Sequence, residues 1–138
     1  YYTPHIIKSI ENDSIDDRFR KVIRTMIDSS LFETVINGMQ KVVEDEELGT
    51  SNIAKMENIT VCGKTGTAQN PHGEDHSIFI GFAPKDNPKI ALAVYVENGG
   101  WGSTWAVPIA SLMIEKYLND TIQRDWLEKE IVEGVIEY

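Results

Sequence analysis

One stretch of the sequence combines residue types that packing alone does not ask for. Gly63-Lys64-Thr65-Gly66-Thr67-Ala68-Gln69 sets a lysine and two threonines among glycines, inside a run whose neighbours read as a strand. Glycine weakens a strand and marks places where another backbone or a ligand comes close. Period two puts Thr65 and Thr67 on one face of the strand and Lys64 on the other, so the lysine must reach around the strand edge to join them. An isolated Lys-Thr-Gly also occurs in plain solvated turns, so its flanks have to decide. A phosphate cradle is one alternative, since Gly63-Lys64-Thr65 matches the end of Gly-x-x-x-x-Gly-Lys-[Ser/Thr]. The first glycine of that pattern would fall on Asn58, and Gly66, Asn70-Pro71 and Gly73 would break the helix that such a loop must enter.

The elements around this stretch follow from periodicity and caps. Ser30-Leu31-Phe32-Glu33 fits a capping box, after which Leu31, Val35, Met39 and Val42 recur at helical spacing. The acidic run Glu44-Asp45-Glu46-Glu47 and then Gly49 end that helix. Strands are expected over Thr60 to Gln69, Ser77 to Ala83 and Ile90 to Glu97, with Pro84-Lys85-Asp86-Asn87-Pro88 as a hairpin loop. Asn98-Gly99-Gly100-Trp101-Gly102 makes a sharp exit, and Ser103 or Thr104 can cap a second helix that tolerates Pro108 in its first turn. That helix is apolar nearly all round, the mark of deep burial. A third, charged helix is expected over Asp120 to Glu133. Upstream, His5 to Ile10 looks extended, Glu11 to Asp17 reads as a turn, and Lys21 to Ile27 fits a short strand or a helix start. The order helix, strand, hairpin, helix predicts an α+β fold: an antiparallel sheet of three main strands packed by helices.

The context of the Lys-Thr-Gly run is more informative than the tripeptide. Gly63 to Gln69, then His76-Ser77-Ile78-Phe79-Ile80-Gly81-Phe82-Ala83-Pro84, then Ile90-Ala91-Leu92-Ala93-Val94-Tyr95-Val96-Glu97-Asn98-Gly99-Gly100 resembles the succession seen in class B penicillin-binding proteins. Val35 to Val43 followed by Gly49-Thr50 resembles the helix and Gly-Thr turn before that motif, and the Glu-Asn-Gly-Gly exit is most similar to the elongation type. The resemblance runs from about Thr3 to Leu118. It implies a peptidoglycan D,D-transpeptidase domain, in which a serine of Ser-x-x-Lys attacks the D-Ala-D-Ala stem peptide and β-lactams acylate the same serine. Lys64 would then supply positive charge toward the substrate carboxylate, and Thr65 and Thr67 would offer it hydroxyls. Gly66 would keep bulk away from the approaching peptide, and the Thr67 N–H would be one oxyanion-hole donor, worth about 2.7–4 kcal/mol of the barrier.

The departures matter equally. None of the serines at 9, 14, 29, 30, 51, 77, 103 and 111 has Lys three positions on or Asn two positions on. The chain therefore resembles the carboxyl-terminal portion of the domain, residues 1–138 lacking both upstream motifs, and is expected to be inactive alone. The rival function is a noncatalytic peptide- or ligand-binding module that uses the Lys64 edge. His72-Gly73-Glu74-Asp75-His76 beside Cys62 invites a metal reading, yet Pro71 and Gly73 favour a loop and no third ligand is fixed. Cys62 reads as a small buried apolar residue, and Trp101, Trp105 and Trp126 as core anchors.

Composition bounds the rest. The chain has 138 residues with 41% hydrophobic and 25% charged, enough for a packed core. Its formal net charge of −9 excludes a nucleic-acid backbone binder, and no apolar run approaches the ~20 residues of a membrane span. One cysteine permits no intramolecular disulfide. No cofactor and no metal is implied. The resemblance implies the stem peptide and β-lactams as ligands of a longer parent, itself anchored in the bacterial inner membrane with this domain in the periplasm, working with cell-wall elongation proteins. A start on Tyr1-Tyr2-Thr3-Pro4 without Met suggests a chain cut from something longer. The resemblance implies a five-stranded sheet in which the strand from Ile90 to Val96 pairs with one from the missing amino-terminal part, so this apolar run without proline is expected to expose an edge that pairs with a second copy.

Overall fold

The computed structural model describes residues 1–7, 9 and 15–136. The chain forms two compact units, Tyr1–Leu31 and Phe32–Tyr138. In the first, a short 3₁₀ turn at Asp17–Phe19 is capped by Asp16, whose carboxylate accepts the Arg18 N–H at 2.9 Å. The Tyr1 ammonium donates to the Ile23 carbonyl at 2.8 Å, and the Ile23 N–H returns a bond to the Tyr1 carbonyl at 2.7 Å. Residues 5–7 and 9 form no strand, contrary to their extended reading, and residues 21–27 form neither the short strand nor the helix start expected there. The rest of the expected His5–Ile10 strand and most of the Glu11–Asp17 turn lie outside the described residues.

Helix α1 spans Ser30–Glu44. Its start is made by Asp28 and not by the expected capping box. The Asp28 carboxylate accepts both the Ser30 N–H at 2.9 Å and the Ser30 hydroxyl at 2.8 Å, and these bonds hold its carboxyl below the usual aspartate range. The apolar stripe is real, yet Leu31, Phe32 and Val35 are exposed and only Val43, at the far end, is fully buried. The helix thus meets the core only through its last turns.

The second unit is built on a three-stranded antiparallel sheet, β1 (Cys62–Ala68), β2 (His76–Ala83) and β3 (Ile90–Val96), in the order β1-β2-β3. The register pairs Lys64 with Ile80, Thr65 with Phe79 and Thr67 with Ser77, and β2 continues to β3 through Phe79–Val94 and Ser77–Val96. Strand alternation therefore puts Thr65, Thr67, Ser77, Phe79, Val94 and Val96 on one face. Helix α2 (Ala106–Asn119) packs on β2 and β3, and Phe79, Val107, Ala110 and Ile114 are fully buried in the core. Helix α3 (Asp125–Glu133) adds the buried Leu127, with the left-handed Asp120 closing α2 before it.

The cap of α2 comes from the sheet, not from Ser103 or Thr104. The Ser77 hydroxyl is fully buried, accepts the Ala106 N–H at 3.1 Å and donates to the Trp101 carbonyl at 2.8 Å. One side chain thus satisfies a first-turn amide and pins the turn that leads into the helix. Burial of α2 is extensive, as its composition predicts, although Met113 and Tyr117 stay exposed. Removing the bridge in Ser77→Ala leaves the Ala106 N–H buried without an acceptor. The expected loss is about 1–3 kcal/mol, read as a lower urea midpoint at unchanged m-value. A variant as stable as the parent chain would contradict this account of the turn.

Candidate functional site

Strand β1 lies at one side of the sheet, and Lys64, Thr65, Gly66 and Thr67 line a cleft of about 420 Å³. Thr50 and the turn Trp101-Gly102-Ser103 complete its walls. The four residues singled out in sequence therefore meet in one place. Lys64 does reach around the edge: its Nζ donates to the Thr65 carbonyl at 2.9 Å and lies 3.4 Å from Thr65 Oγ1. Its acceptors are neutral, and among the described residues no carboxylate forms an ion pair with it. The Lys64 ammonium is exposed, beside hydroxyls, on a chain of net charge −9.

Thr50, Trp101, Gly102 and Ser103 were not identified from sequence as part of this cleft. Thr50 comes close because the loop after α1 folds back on the helix end. The Gly49 N–H donates to the Asp45 carbonyl and the Ser51 N–H to the Val42 carbonyl, each at 2.9 Å. Asn52 Nδ2 adds bonds to the carbonyls of Val43 at 3.1 Å and Asp45 at 2.7 Å. The last turn of α1 is thereby satisfied by the very residues that flank Thr50. Gly49 is required here, because a Cβ would sit 2.3 Å from the Asp45 carbonyl oxygen. Thr50 Oγ1 ends 3.0 Å from Thr65 Oγ1. The opposite wall is equally constrained: at Gly102 a Cβ would come within 2.6 Å of the Ile78 carbonyl oxygen and 2.9 Å of that of Gly66. The Gly49-Thr50 turn and the glycine-rich exit were the available signals, but neither shows from sequence which strand it will touch.

The rival constellations resolve differently. His76 begins β2, and its Nδ1 accepts the Asn98 N–H at 3.0 Å, so this ring nitrogen is engaged in closing a turn. His72 lies in the exposed loop between β1 and β2. Cys62 is fully buried, and desolvation pushes its thiol up from the usual range, which disfavours a reactive thiolate. The tryptophans correct the core-anchor reading. Trp101 is 77% exposed at the cleft and Trp126 is 57% exposed on α3, while Trp105 is half-buried. Side-chain size alone did not reveal that the Trp101 backbone, held by Ser77, is what the fold uses.

The fold is an α+β arrangement in which a Lys-Thr-Gly strand borders a cleft that holds an exposed ammonium. Residues 1–115 match the penicillin binding protein transpeptidase domain, and the chain belongs to that family. It is 33% identical to peptidoglycan D,D-transpeptidase MrdA of Haemophilus influenzae over 139 aligned residues, covering 87% of this chain and 21% of that protein. Among solved structures, Pseudomonas aeruginosa PBP2 in complex with WCK 5153 matches with a TM-score of 0.61 and 34% identity, covering 75% of this chain and 23% of that one. Penicillin-binding protein A from Mycobacterium tuberculosis, as its imipenem acyl-enzyme complex, matches with a TM-score of 0.59 and 28% identity, covering 70% and 21%. The chain thus spans about a fifth of the length of the relatives it matches. These comparisons agree with the class B, elongation-type resemblance read from the motifs.

The loop that carries Thr50 has its own pH dependence. The Asp45 carboxylate accepts the backbone N–H groups of Leu48 at 2.9 Å and Glu47 at 3.0 Å, and these bonds pull its pKa below the ordinary 3.8. A lowered native value means that the stabilisation is fully present above 3.8 and is lost as the pH falls below it through the native value. Amide exchange at residues 47–50, compared at equal intrinsic rate, is expected to show protection lost in that acid range. In Asp45→Asn, whose side-chain oxygen can accept the same bonds but does not titrate, the protection should be independent of pH. Equal pH profiles for the two chains would refute the assignment.

Proposed function

We propose that residues 1–138 form the carboxyl-terminal portion of a peptidoglycan D,D-transpeptidase domain, and that the Lys64–Thr67 edge receives the terminal carboxylate of a D-Ala-D-Ala stem peptide or of a β-lactam. The observation that carries this reading is the Lys64 ammonium folded over the strand edge onto Thr65, with no carboxylate ion-paired to it among the described residues. Family membership and the acyl-enzyme complex of a related protein with imipenem support the same chemistry. Lys64 supplies the charge, and Thr65 and Thr67 supply directional donors. Because the Thr65 carbonyl points outward to Lys64, ladder alternation turns the Thr67 N–H to that same free edge, where it serves as an oxyanion donor. The free edge of β1 offers an extended peptide a place to add as a strand, while Gly66 spares a tight contact with Ile78 of β2, whose Cβ would lie 3.3 Å from one at Gly66.

The serine that attacks the stem peptide lies outside these residues, since no serine here sits in Ser-x-x-Lys. This chain supplies one wall of the site and no nucleophile. The whole protein would act at the outer face of the bacterial inner membrane, where stem peptides are cross-linked, alongside elongation proteins. None of the described helices is long and apolar enough to cross a membrane, so an anchor would be a separate segment.

Titrating diacetyl-Lys-D-Ala-D-Ala into the chain, with backbone amide shifts as readout, is expected to give saturable changes at residues 64–67. Lys64→Ala should weaken binding about ten- to a hundredfold, and the peptide with a carboxamide end should bind as weakly as that variant does. Incubation with benzylpenicillin should leave the intact mass unchanged. A lack of saturable shifts overturns the carboxylate reading. Equal affinity for acid and amide favours a general peptide-binding module, and a stoichiometric acyl adduct overturns the claim that the nucleophile lies elsewhere.

The far side of the sheet carries the proposed self-association. β3 is the last strand in the sheet order, an apolar run of seven residues without proline or charge along its length. Such an edge templates pairing with another chain. Sedimentation equilibrium is expected to show a concentration-dependent dimer that Ala93→Pro abolishes, because ladder alternation turns the Ala93 N–H to the free edge, with α2 still folded by circular dichroism. A monomer at high concentration refutes the pairing.

A further inference from the structure

Thr50 lies on the loop after α1, fifteen positions before Thr65 in sequence, yet the two hydroxyl oxygens are 3.0 Å apart inside the cleft. We propose that Thr50 is a positioning residue for anion recognition: its hydroxyl donates to Thr65 Oγ1 and thereby directs the only Thr65 hydroxyl proton at the ligand carboxylate. The inference rests on the carboxylate reading of the cleft and names a residue that the reading does not require.

Donor counting makes the case. A threonine hydroxyl has one proton to give and two lone pairs to fill. Lys64 Nζ, 3.4 Å from Thr65 Oγ1, can only donate, so it takes one lone pair. The Thr50–Thr65 contact then has two possible senses. When Thr65 donates to Thr50, the Thr65 proton is used within the protein and the cleft presents an oxygen lone pair toward an incoming anion. When Thr50 donates to Thr65, both Thr65 lone pairs are filled and its proton must leave the protein network. A carboxylate, which only accepts, selects the second sense. The chain Thr50 to Thr65 to carboxylate then runs in one direction, and each bond polarises the next.

The local structure keeps this arrangement ready before a ligand arrives. Thr50 sits between Gly49 and Ser51, whose N–H groups are bound to the carbonyls of Asp45 and Val42, and two residues before Asn52, whose side chain binds those of Val43 and Asp45. Thr65 is half-buried in a strand paired with Phe79, whose side chain is fully buried. Neither hydroxyl therefore has to be gathered from a mobile segment on binding, which is where a positioning group gains its effect. A valine at Thr50 keeps the shape and removes the donor. A serine keeps the donor.

The test uses the 138-residue chain with diacetyl-Lys-D-Ala-D-Ala and its carboxamide counterpart as probes. Thr50→Val is expected to weaken binding of the acid about three- to tenfold and to leave the carboxamide unchanged, while Thr50→Ser restores the acid to within about twofold. In a Thr65→Val background the same Thr50→Val change should have no further effect, because its path runs through the Thr65 oxygen. Thermal unfolding of each variant separates a misplaced loop from a lost donor: equal melting temperatures with weakened acid binding support the role. Undiminished acid binding in Thr50→Val, or fully additive losses in the double variant, overturns the proposal and leaves the carboxylate reading intact. No saturable binding of the acid by the parent chain overturns both.

Discussion

The constraint on which this structure turns is that β1 must be held from one side only. Among the described residues β1 pairs with β2 alone, and a strand with a free edge loses half of its ladder support. The compensation comes from β2 and from the face beneath. Thr65 and Thr67 are in register with Phe79 and Ser77, and those two residues are fully buried. Phe79 supplies apolar contact under α2, and Ser77 ties α2 and the Trp101 turn to the same strand. Lys64 sits in register with Ile80 and is free to turn its stem over the edge. The rigidity of the cleft is thus borrowed from β2, while its chemistry is carried by β1.

The elements were legible in the sequence because their signals are local. The alternation of Ile, Phe and Val marks β2 and β3, the proline-rich loop between them marks a hairpin, and the apolar run after Gly102 marks α2. The caps were not legible. Ser30 and Glu33 have the spacing of a capping box, but Asp28 stands closer in the chain and binds Ser30 through both its backbone and its hydroxyl. Ser103 and Thr104 look like caps for α2, while the group that accepts the Ala106 N–H is twenty-nine positions away on the sheet. A cap delivered across tertiary structure has no sequence spacing by which to recognise it. The same reason hid Thr50: period two shows which face Thr65 occupies, but no periodicity brings a loop residue to it.

Electrostatics explain why one lysine can matter on so acidic a chain. Some other cations are already ion-paired, Arg124 to the buried Glu115 and Lys55 to Glu46 at the surface. Lys64 rests on a backbone carbonyl and a hydroxyl, and Lys85 likewise on the side-chain oxygens of Asn37 and Gln40, partners that hold an ammonium without cancelling its charge. Of these two, Lys64 is the one in the cleft. An anion entering the cleft therefore meets an unneutralised charge at short range. The negative charge spread over the remaining surface is weakened by water and salt over about 8–10 Å.

The segment beyond residue 115 acts on the cleft through the loop that holds Thr50. The buried Glu115 accepts Arg124 Nε and the Gln123 N–H, each at 2.9 Å, and Arg124 Nη1 donates to the Ile53 carbonyl at 2.7 Å. Ile53 belongs to the short Asn52–Ala54 turn, whose other side is bound to the end of α1 through Asn52. That turn is therefore clamped from the front by the helix before it and from the back by the segment before α3. Breaking a buried ion pair by removing one partner costs about 3–5 kcal/mol, because it strands the other charge. Such a cost falls first on the turn that the pair holds. The family match ends at residue 115, but the residues after it complete the support of a turn two positions from Thr50. The turn beside Thr50 is consequently held by parts of the chain that carry no motif of their own.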